Sequence, residues 1–198
     1  MELDNIIYPG FNKTLSELNA ISKIKKKSCE IVDLTEIEWV RDVLRHRVEE
    51  VGTYDIKFRK PTDEEIKSVS EIVGADINID ELKNNFHKNK RIIGITSGKG
   101  GVGKSTITSL LGIAFDELGK KVGIMDSDIW GYSVPKILGA KFPPIPFNER
   151  IFPSRINNLN VISMDYFVKQ DEAVIWRGPM LHKAIEQFLF EVLWHDID

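Results

Sequence analysis

The chain has 198 residues, of which 42% are hydrophobic and 29% are charged, and its formal net charge is −3 at pH 7. This composition is typical of a soluble globular protein, and the small negative charge gives no reason to expect a nucleic acid or an anionic membrane as a partner. The sequence contains neither an apolar stretch as long as a membrane span nor a signal peptide pattern, and a single cysteine excludes a disulfide framework within the chain. The cytoplasm is therefore the expected location.

Residues 1–88 predict a small α+β domain. A helix is expected over residues 14–21, where Thr14 and Glu17 have the spacing of a capping box. A second helix is expected from Thr62 through Val73, with a second capping box and a glycine at its end. Strands are expected where apolar and polar residues alternate, at residues 30–34, 37–43, 48–51, 54–58 and 76–80.

Cys29 precedes the first of these strands, and we expect it to be a small buried hydrophobic residue rather than a ligand. Residues 81–90 are polar and predict a helix end followed by a linker. A second domain, residues 89–198, is expected to begin there.

Residues 98–105 match the pattern G-x-x-x-x-G-K-[ST] of a phosphate-binding loop. They lie between an apolar run at 92–95, predicted as a buried strand, and a predicted helix at 107–115. Glycines let the backbone curl so that its N–H groups point at phosphate oxygens, Lys104 would reach the β- and γ-phosphates, and the Ser105 hydroxyl would bind Mg²⁺. The predicted nucleotide-binding residues are Gly98, Lys99, Gly100, Gly101, Val102, Gly103, Lys104, Ser105 and Thr106.

A second buried strand is predicted at residues 122–126, and a βαβ unit with parallel strands would join it to the first. Its carboxyl end bears Asp126 and Asp128, at the edge of the sheet where ligands bind in open α/β folds. Beside a triphosphate, two such carboxylates bind Mg²⁺ through water, orient the attacking water or cap the next helix.

The rest of the chain predicts a surface connection, a strand and a helix. The prolines of residues 142–147 exclude a regular helix or central strand and favour a surface connection. Residues 161–164 predict a further core strand, and residues 181–193 a helix. The sequence thus predicts an α/β parallel sheet preceded by a small α+β domain.

Lys99, next to the first glycine, makes the loop a deviant Walker A motif, K-G-G-x-G-K-[ST]. In this the chain resembles the ATPase family of MinD, ParA, nitrogenase iron protein and Mrp/ApbC. Residues 126–139 are similar to the Mrp/ApbC segment D-x-D-I-Y-G-P-S-x-P-x-x-L-G, with Trp130 and Tyr132 in place of the usual Tyr and Pro. Residues 174–180 resemble its V-x-W-R-G-P-M segment, and the region around residues 31–34 and 40–43 looks like the small domain that precedes many Mrp ATPases.

The resemblance implies an ATP-hydrolysing carrier that delivers iron–sulfur clusters to apo proteins, with ATP and Mg²⁺ as cofactors. Lys99 would act in trans on the phosphates of a homodimer partner, Lys104 would hold phosphate, and Asp128 would position the attacking water. These three are the predicted catalytic residues. Ser105 and, through water, Asp126 would support Mg²⁺.

In the family, a D-x-P-P-G segment and a C-x-x-C pair that holds the cluster follow the position of Asp198. Since Cys29 is the only cysteine, C-x-x-C is absent from this chain. We therefore expect a split or truncated ATPase that ends before switch II and that a complementing C-terminal half chain completes. The alternatives are a partitioning or positioning ATPase like ParA or MinD, and a non-catalytic remnant or regulatory partner.

Overall fold

A computed structural model describes residues 3–25, 28–85, 90–128, 131–167, 178–194 and 197–198. These residues form two compact units. The first contains the chain up to Asp76 together with Pro146–Glu149, and the second contains Ile77–Ile145 and Arg150–Asp198.

The first unit is built on a three-stranded sheet in which β4 is central. Strand β4 pairs antiparallel with β3 and parallel with β5, so the helix between β4 and β5 is a crossover connection. A two-residue ladder of β1 and β2 precedes the sheet. The elements are β1 (Ile7–Tyr8), β2 (Lys13–Thr14), β3 (Ile21–Lys25), β4 (Ser28–Val32), α1 (Glu38–Val51), β5 (Asp55–Arg59) and α2 (Asp63–Val73).

Helix α1 corrects two predictions, because residues 37–43 and 48–51 are not strands but parts of this one helix. Its buried residues Val40, Leu44 and Val48 recur every four positions and so share one helix face. The local alternation that suggested strands spans only a few residues. The four-residue period of the longer segment decides the structure.

The helix predicted at residues 14–21 is also wrong. The capping-box hydrogen bonds form, since the Thr14 N–H donates to Glu17 Oε2 over 2.7 Å and the Glu17 N–H donates to Thr14 Oγ1 over 3.1 Å. They close only one turn, because Asn19 adopts a left-handed φ of 51° and ends it. Predicted strands at β4 and β5 and the capping box and Gly74 end of α2 are confirmed.

The second unit contains a three-stranded sheet with the order β6-β10-β9. Strand β10 pairs parallel with β6 and antiparallel with β9. The elements in chain order are α3 (Ile79–Asn85), α4 (Lys104–Glu117), β6 (Gly123–Asp126), α5 (Val134–Leu138), β7 (Ile145–Phe147), β8 (Arg150–Phe152), β9 (Ser154–Ile156), β10 (Leu159–Ser163) and α6 (Gly178–Phe190). Of β7, only Ile145 belongs to this unit, because Pro146 and Phe147 belong to the first.

Neighbouring residues of β10 contribute to two hydrophobic clusters of the described part of this unit, one on each face of the sheet. Val161 belongs to a cluster with Val134 of α5 and Ile124 of β6. Ile162 belongs to another, with Phe188 of α6. The sheet is therefore covered by helices on both faces, as expected for an α/β fold.

The structure contradicts the buried strand predicted at residues 92–95. Residues 91–97 belong to no helix or strand in the described part of the chain, and the side chains of Ile92 and Ile93 are 62% and 61% exposed. The predicted βαβ unit consequently does not pair this segment with β6, whose parallel neighbour is β10. Apolar residues alone do not make a strand, which needs a hydrogen-bonding neighbour.

Two further predictions change. Residues 76–80 are not a strand, because α3 begins at Ile79 and the Asn78 side chain accepts a hydrogen bond from the Asp80 N–H over 2.7 Å. The connection at residues 142–147 does not lie wholly on the surface, since it contains β7, where Ile145 and Phe147 are buried.

The predicted helix at 107–115 and strands at 122–126 and 161–164 are confirmed, and the last helix begins earlier than predicted, at Gly178. None of the described helices is long and apolar enough to cross a membrane.

Candidate nucleotide site

A glycine loop leads directly into α4. Its first turn is held by Ser97, whose Oγ accepts a hydrogen bond from the Lys99 N–H over 3.1 Å and donates to the Lys99 carbonyl over 3.0 Å. Gly101 and Gly103 have φ of 71° and 94°, in the left-handed region where a side chain would be strained. A Cβ built on any of the loop glycines meets no atom within 4 Å, so the space beside these glycines is open.

Helix α4 begins at Lys104 with its N–H groups available. Gly103 is the N-cap and has no side chain to bond them, and no acidic residue lies in the first turn. The uncapped N–H groups and the positive end of the helix dipole therefore favour an anion at this position.

The loop, the start of α4 and the segment after β6 enclose one cleft of about 610 Å³. The structure thus brings together most of the predicted site residues, while Val102 and Asp126 are not part of the lining. Gly131 and Ser133 line the cleft although sequence reasoning did not select them. The sequence signal that would have identified them is their position in the same short segment as Asp128. The lining residues are Ser97, Gly98, Lys99, Gly100, Gly101, Gly103, Lys104, Ser105, Thr106, Asp128, Gly131 and Ser133.

Inside this cleft the Lys104 ammonium lies 3.8 Å from Asp128 Oδ2. The two side chains are 26% and 34% exposed, so water screens their attraction. Lys104 begins α4 and Asp128 follows β6, and the fold therefore joins a cation and a carboxylate that are 24 positions apart in the sequence.

Asp126 occupies a different environment, since it is only 6% exposed and both carboxylate oxygens accept hydrogen bonds. Oδ2 accepts from the N–H groups of Ser133 and Val134 over 3.1 and 3.2 Å and from the Ser163 hydroxyl over 3.4 Å, and Oδ1 accepts from the Asp128 N–H over 3.3 Å. Burial raises the pKa of Asp126, while the backbone hydrogen bonds oppose this rise. The carboxylate ties the loop after β6 to the start of α5 and the end of β10.

The cleft offers the hard oxygen donors that Mg²⁺ prefers. Ser105 in the first turn of α4 and Asp128 on the opposite wall both line it, so these residues fit a cation that sits beside bound phosphate. Asp126 lies behind the wall, and its predicted contact with the hydration shell of Mg²⁺ stays a prediction.

Cys29 lies within β4 of the first unit and not before this strand as predicted. It is 2% exposed, which confirms the predicted buried position, and burial raises the pKa of its thiol. Among the residues that the structure describes, no group of three or more His, Cys, Asp or Glu side chains is arranged to hold a metal ion. Ile129 and Trp130, and the segment 174–177 of the predicted V-x-W-R-G-P-M motif, lie outside the described residues.

A glycine loop that opens a helix, with lysine and serine at the helix start and a carboxylate after a parallel strand, defines a P-loop nucleotide-binding protein. Residues 88–198 match the family model of the NUBPL iron-transfer P-loop NTPases. The chain belongs to this family, and the resemblance to Mrp/ApbC proteins is confirmed.

Three relatives are each named iron-sulfur cluster carrier protein. That of Helicobacter pylori is 32% identical over 203 residues, covering 99% of this chain and 54% of the relative. That of Aquifex aeolicus is 33% identical and covers 96% of this chain and 56% of the relative. That of Mycobacterium leprae is 45% identical and covers 54% of this chain and 28% of the relative. The chain spans about half the length, or less, of the relatives it matches.

A solved structure is similar in fold to this chain. A nucleotide-binding protein from Archaeoglobus fulgidus, in complex with ADP, is similar with a TM-score of 0.50 and 31% identity, over 62% of this chain and 47% of that protein.

Proposed function

We propose that this chain binds ATP and supplies the nucleotide site of an iron–sulfur cluster carrier. The observation that supports this proposal best is the open glycine cradle, with Lys104, Ser105 and Asp128 around one cleft. The relatives are named as carriers of iron–sulfur clusters, so we infer that the cargo is such a cluster and that its recipients are apo iron–sulfur proteins. We place this activity in the cytoplasm and divide the chain into a small α+β domain, residues 1–88, and a nucleotide domain, residues 89–198.

The chemistry is phosphoryl transfer to water, which a protein promotes by positioning and by stabilising charge. The loop N–H groups and Lys104 hold the phosphates, and Ser105 orients its hydroxyl toward the cation. Mg²⁺, when bound, neutralises charge on the β- and γ-phosphates. Asp128 accepts a hydrogen bond from the attacking water and holds it in line with the terminal phosphate.

Lys99 has a separate role in this proposal. Its side chain is exposed at the rim of the cleft, while its backbone is held by Ser97. An exposed ammonium beside one cradle is able to reach the phosphates of a second copy of the chain. We therefore propose a homodimer in which Lys99 stabilises charge on the partner's nucleotide.

Turnover further requires, in this proposal, a parallel strand beside residues 92–96. The Asp198 N–H donates to the Lys121 carbonyl over 2.9 Å, and the Arg91 N–H donates to the Asp198 carbonyl over 3.4 Å. Asp198 thus lies between Arg91 and Lys121, which precedes β6. Farther along, Ile92 and Ile93 are exposed, and a strand in this position would cover them.

Such a strand could belong to the same polypeptide or to a complementing chain, and the cysteines that hold the cluster would come with it.

The test measures ATP and ADP binding by calorimetry, first for the chain and for Lys104→Ala. Loss of a charged contact to phosphate should weaken binding about 10- to 100-fold. Equal affinities for the two proteins would refute the site assignment. Phosphate release is then measured for the chain alone and after mixing with the C-terminal half of the Aquifex aeolicus relative. Turnover only in the mixture supports the completing strand, and full turnover by the chain alone refutes it.

A further inference from the structure

Ser133 lines the cleft, and its side chain does not cap the helix that it precedes. It is the N-cap of α5, a position where a serine hydroxyl normally accepts a hydrogen bond from the first turn. Here the side chain makes no capping hydrogen bond, and Pro135 in the first turn has no N–H to offer. The half-buried Ser133 instead lines the cleft.

The backbone of Ser133 is held firmly in this position. Its N–H donates to Asp126 Oδ2 over 3.1 Å, and the same oxygen accepts from the Val134 N–H and the Ser163 hydroxyl. Asp126 is buried at the end of β6, so its carboxylate fixes the Ser133 backbone to the sheet. A hydroxyl on a fixed backbone loses little conformational freedom when it binds a ligand.

Ser133 also shares a wall of the cleft with Asp128. A Cβ on Gly131, between them in the chain, would lie 3.1 Å from Asp128 Oδ2, so the carboxylate lies close over the glycine backbone. Asp128 in turn approaches Lys104, whose counterpart in a phosphate-binding loop contacts the β- and γ-phosphates. This wall therefore faces the terminal-phosphate side of the cleft.

We infer that the Ser133 hydroxyl donates a hydrogen bond to the terminal phosphate of a bound nucleoside triphosphate. Ser133 is then a specificity-determining residue that favours the triphosphate over the diphosphate. The inference rests on the proposed nucleotide site and adds to it the residue that recognises the γ-phosphate. Asp126 acts here as a positioning residue, since it orients Ser133 through the backbone.

The experiment measures the affinities of the full chain for ADP and for a non-hydrolysable ATP analogue, with Mg²⁺, in three variants. Ser133→Ala removes the hydroxyl but keeps the N–H that bonds Asp126. Ser133→Thr restores a hydroxyl. Ser127→Ala is the matched control, because Ser127 is an exposed serine in the same segment and does not line the cleft.

We expect Ser133→Ala to weaken binding of the ATP analogue about 10- to 100-fold, as for one hydrogen bond to a charged group, and to leave ADP affinity within about twofold. Ser133→Thr should recover most of the difference, and Ser127→Ala should resemble the unaltered protein. The ratio of the two affinities decides the result even if one variant is less stable, because loss of the folded cleft lowers both.

An unchanged ratio in Ser133→Ala would overturn the inference while leaving the nucleotide site intact. If the unaltered chain bound neither nucleotide, the proposed function itself would fail, and the inference with it.

Discussion

The ammonium of Lys104 and the carboxylate of Asp128 lie 3.8 Å apart across the cleft. In the proposed function, a phosphate that enters the cleft would compete with Asp128 for Lys104 and would release the carboxylate toward water. The pair would thereby link nucleotide binding to the position of the residue proposed to orient the attacking water.

Asp128→Asn should separate these two effects. We expect phosphate release to fall about 100-fold, as is usual when a group that positions or activates water is lost. Nucleotide affinity should stay equal or rise about 2- to 3-fold, because an exposed ion pair with Lys104 is weak. Glu117→Gln, the same charge change at the opposite end of α4, is the control. Undiminished turnover in Asp128→Asn would contradict the assigned role, with turnover measured in the form of the protein that hydrolyses ATP.

The Arg59–Glu65 pair predicts a pH dependence of stability in the first unit. Arg59 donates to Glu65 over 2.5 Å, and with the capping bond from the Thr62 N–H this lowers the pKa of Glu65 from 4.5 to about 2. Since the folded-state pKa is the lower one, the stabilisation is complete above about pH 4.5 and is lost as the pH falls toward 2.

Glu65→Gln should therefore cost about 1–2 kcal/mol of unfolding free energy near pH 7, after allowance for solvent, and less as the pH approaches 2. Urea unfolding at several pH values measures this. The exposed neighbour Glu64 provides the control, because Glu64→Gln should keep the pH dependence of the original protein. The same pH dependence in both variants would show that the pair contributes nothing.

Gly123→Ala should disturb the end of the described chain. A Cβ at this position of β6 would lie 2.8 Å from two ring atoms of Trp194 and 3.0 Å from Ile197. The ring is rigid and its Nε1 donates to the Phe188 carbonyl over 2.7 Å, so it has little room to move. We expect a loss of about 1–3 kcal/mol, as for other overpacked sites, and a change in tryptophan fluorescence. Gly94→Ala, where a Cβ meets nothing, should leave both unchanged.

Tyr8→Phe should destabilise the first unit through an unpaired amide. The Tyr8 hydroxyl is fully buried and accepts a hydrogen bond from the Leu34 N–H over 2.9 Å. Burial is also the main reason that the pKa of Tyr8 is raised. Removing the oxygen leaves the buried Leu34 N–H without this acceptor, at a cost of about 1–3 kcal/mol. Chemical denaturation should show this loss, and Tyr54→Phe, at a half-buried ring, should change stability by less than about 0.5 kcal/mol.

Local signals predicted some elements well and others badly. Helix α2 was predictable because its capping box and its left-handed Gly74 both lie within a few residues of its ends. Short windows of α1 predict strands, since its buried Val40, Leu44 and Val48 reveal their helical period only over a longer window. The Thr14–Glu17 bonds formed without a helix, which shows that a cap alone does not propagate one.

The sequence by itself determined the phosphate-binding loop, because residues 98–106 are contiguous and the glycines and the helix start act within one turn of chain. Only the tertiary structure decided the opposite wall. Asp126 and Asp128 are two residues apart in the sequence, yet their surroundings differ. Asp126 is buried and accepts four hydrogen bonds that stabilise the fold, whereas Asp128 faces Lys104. The tertiary structure also decided that Ile92 is exposed, because a β-strand forms only where another segment pairs with it.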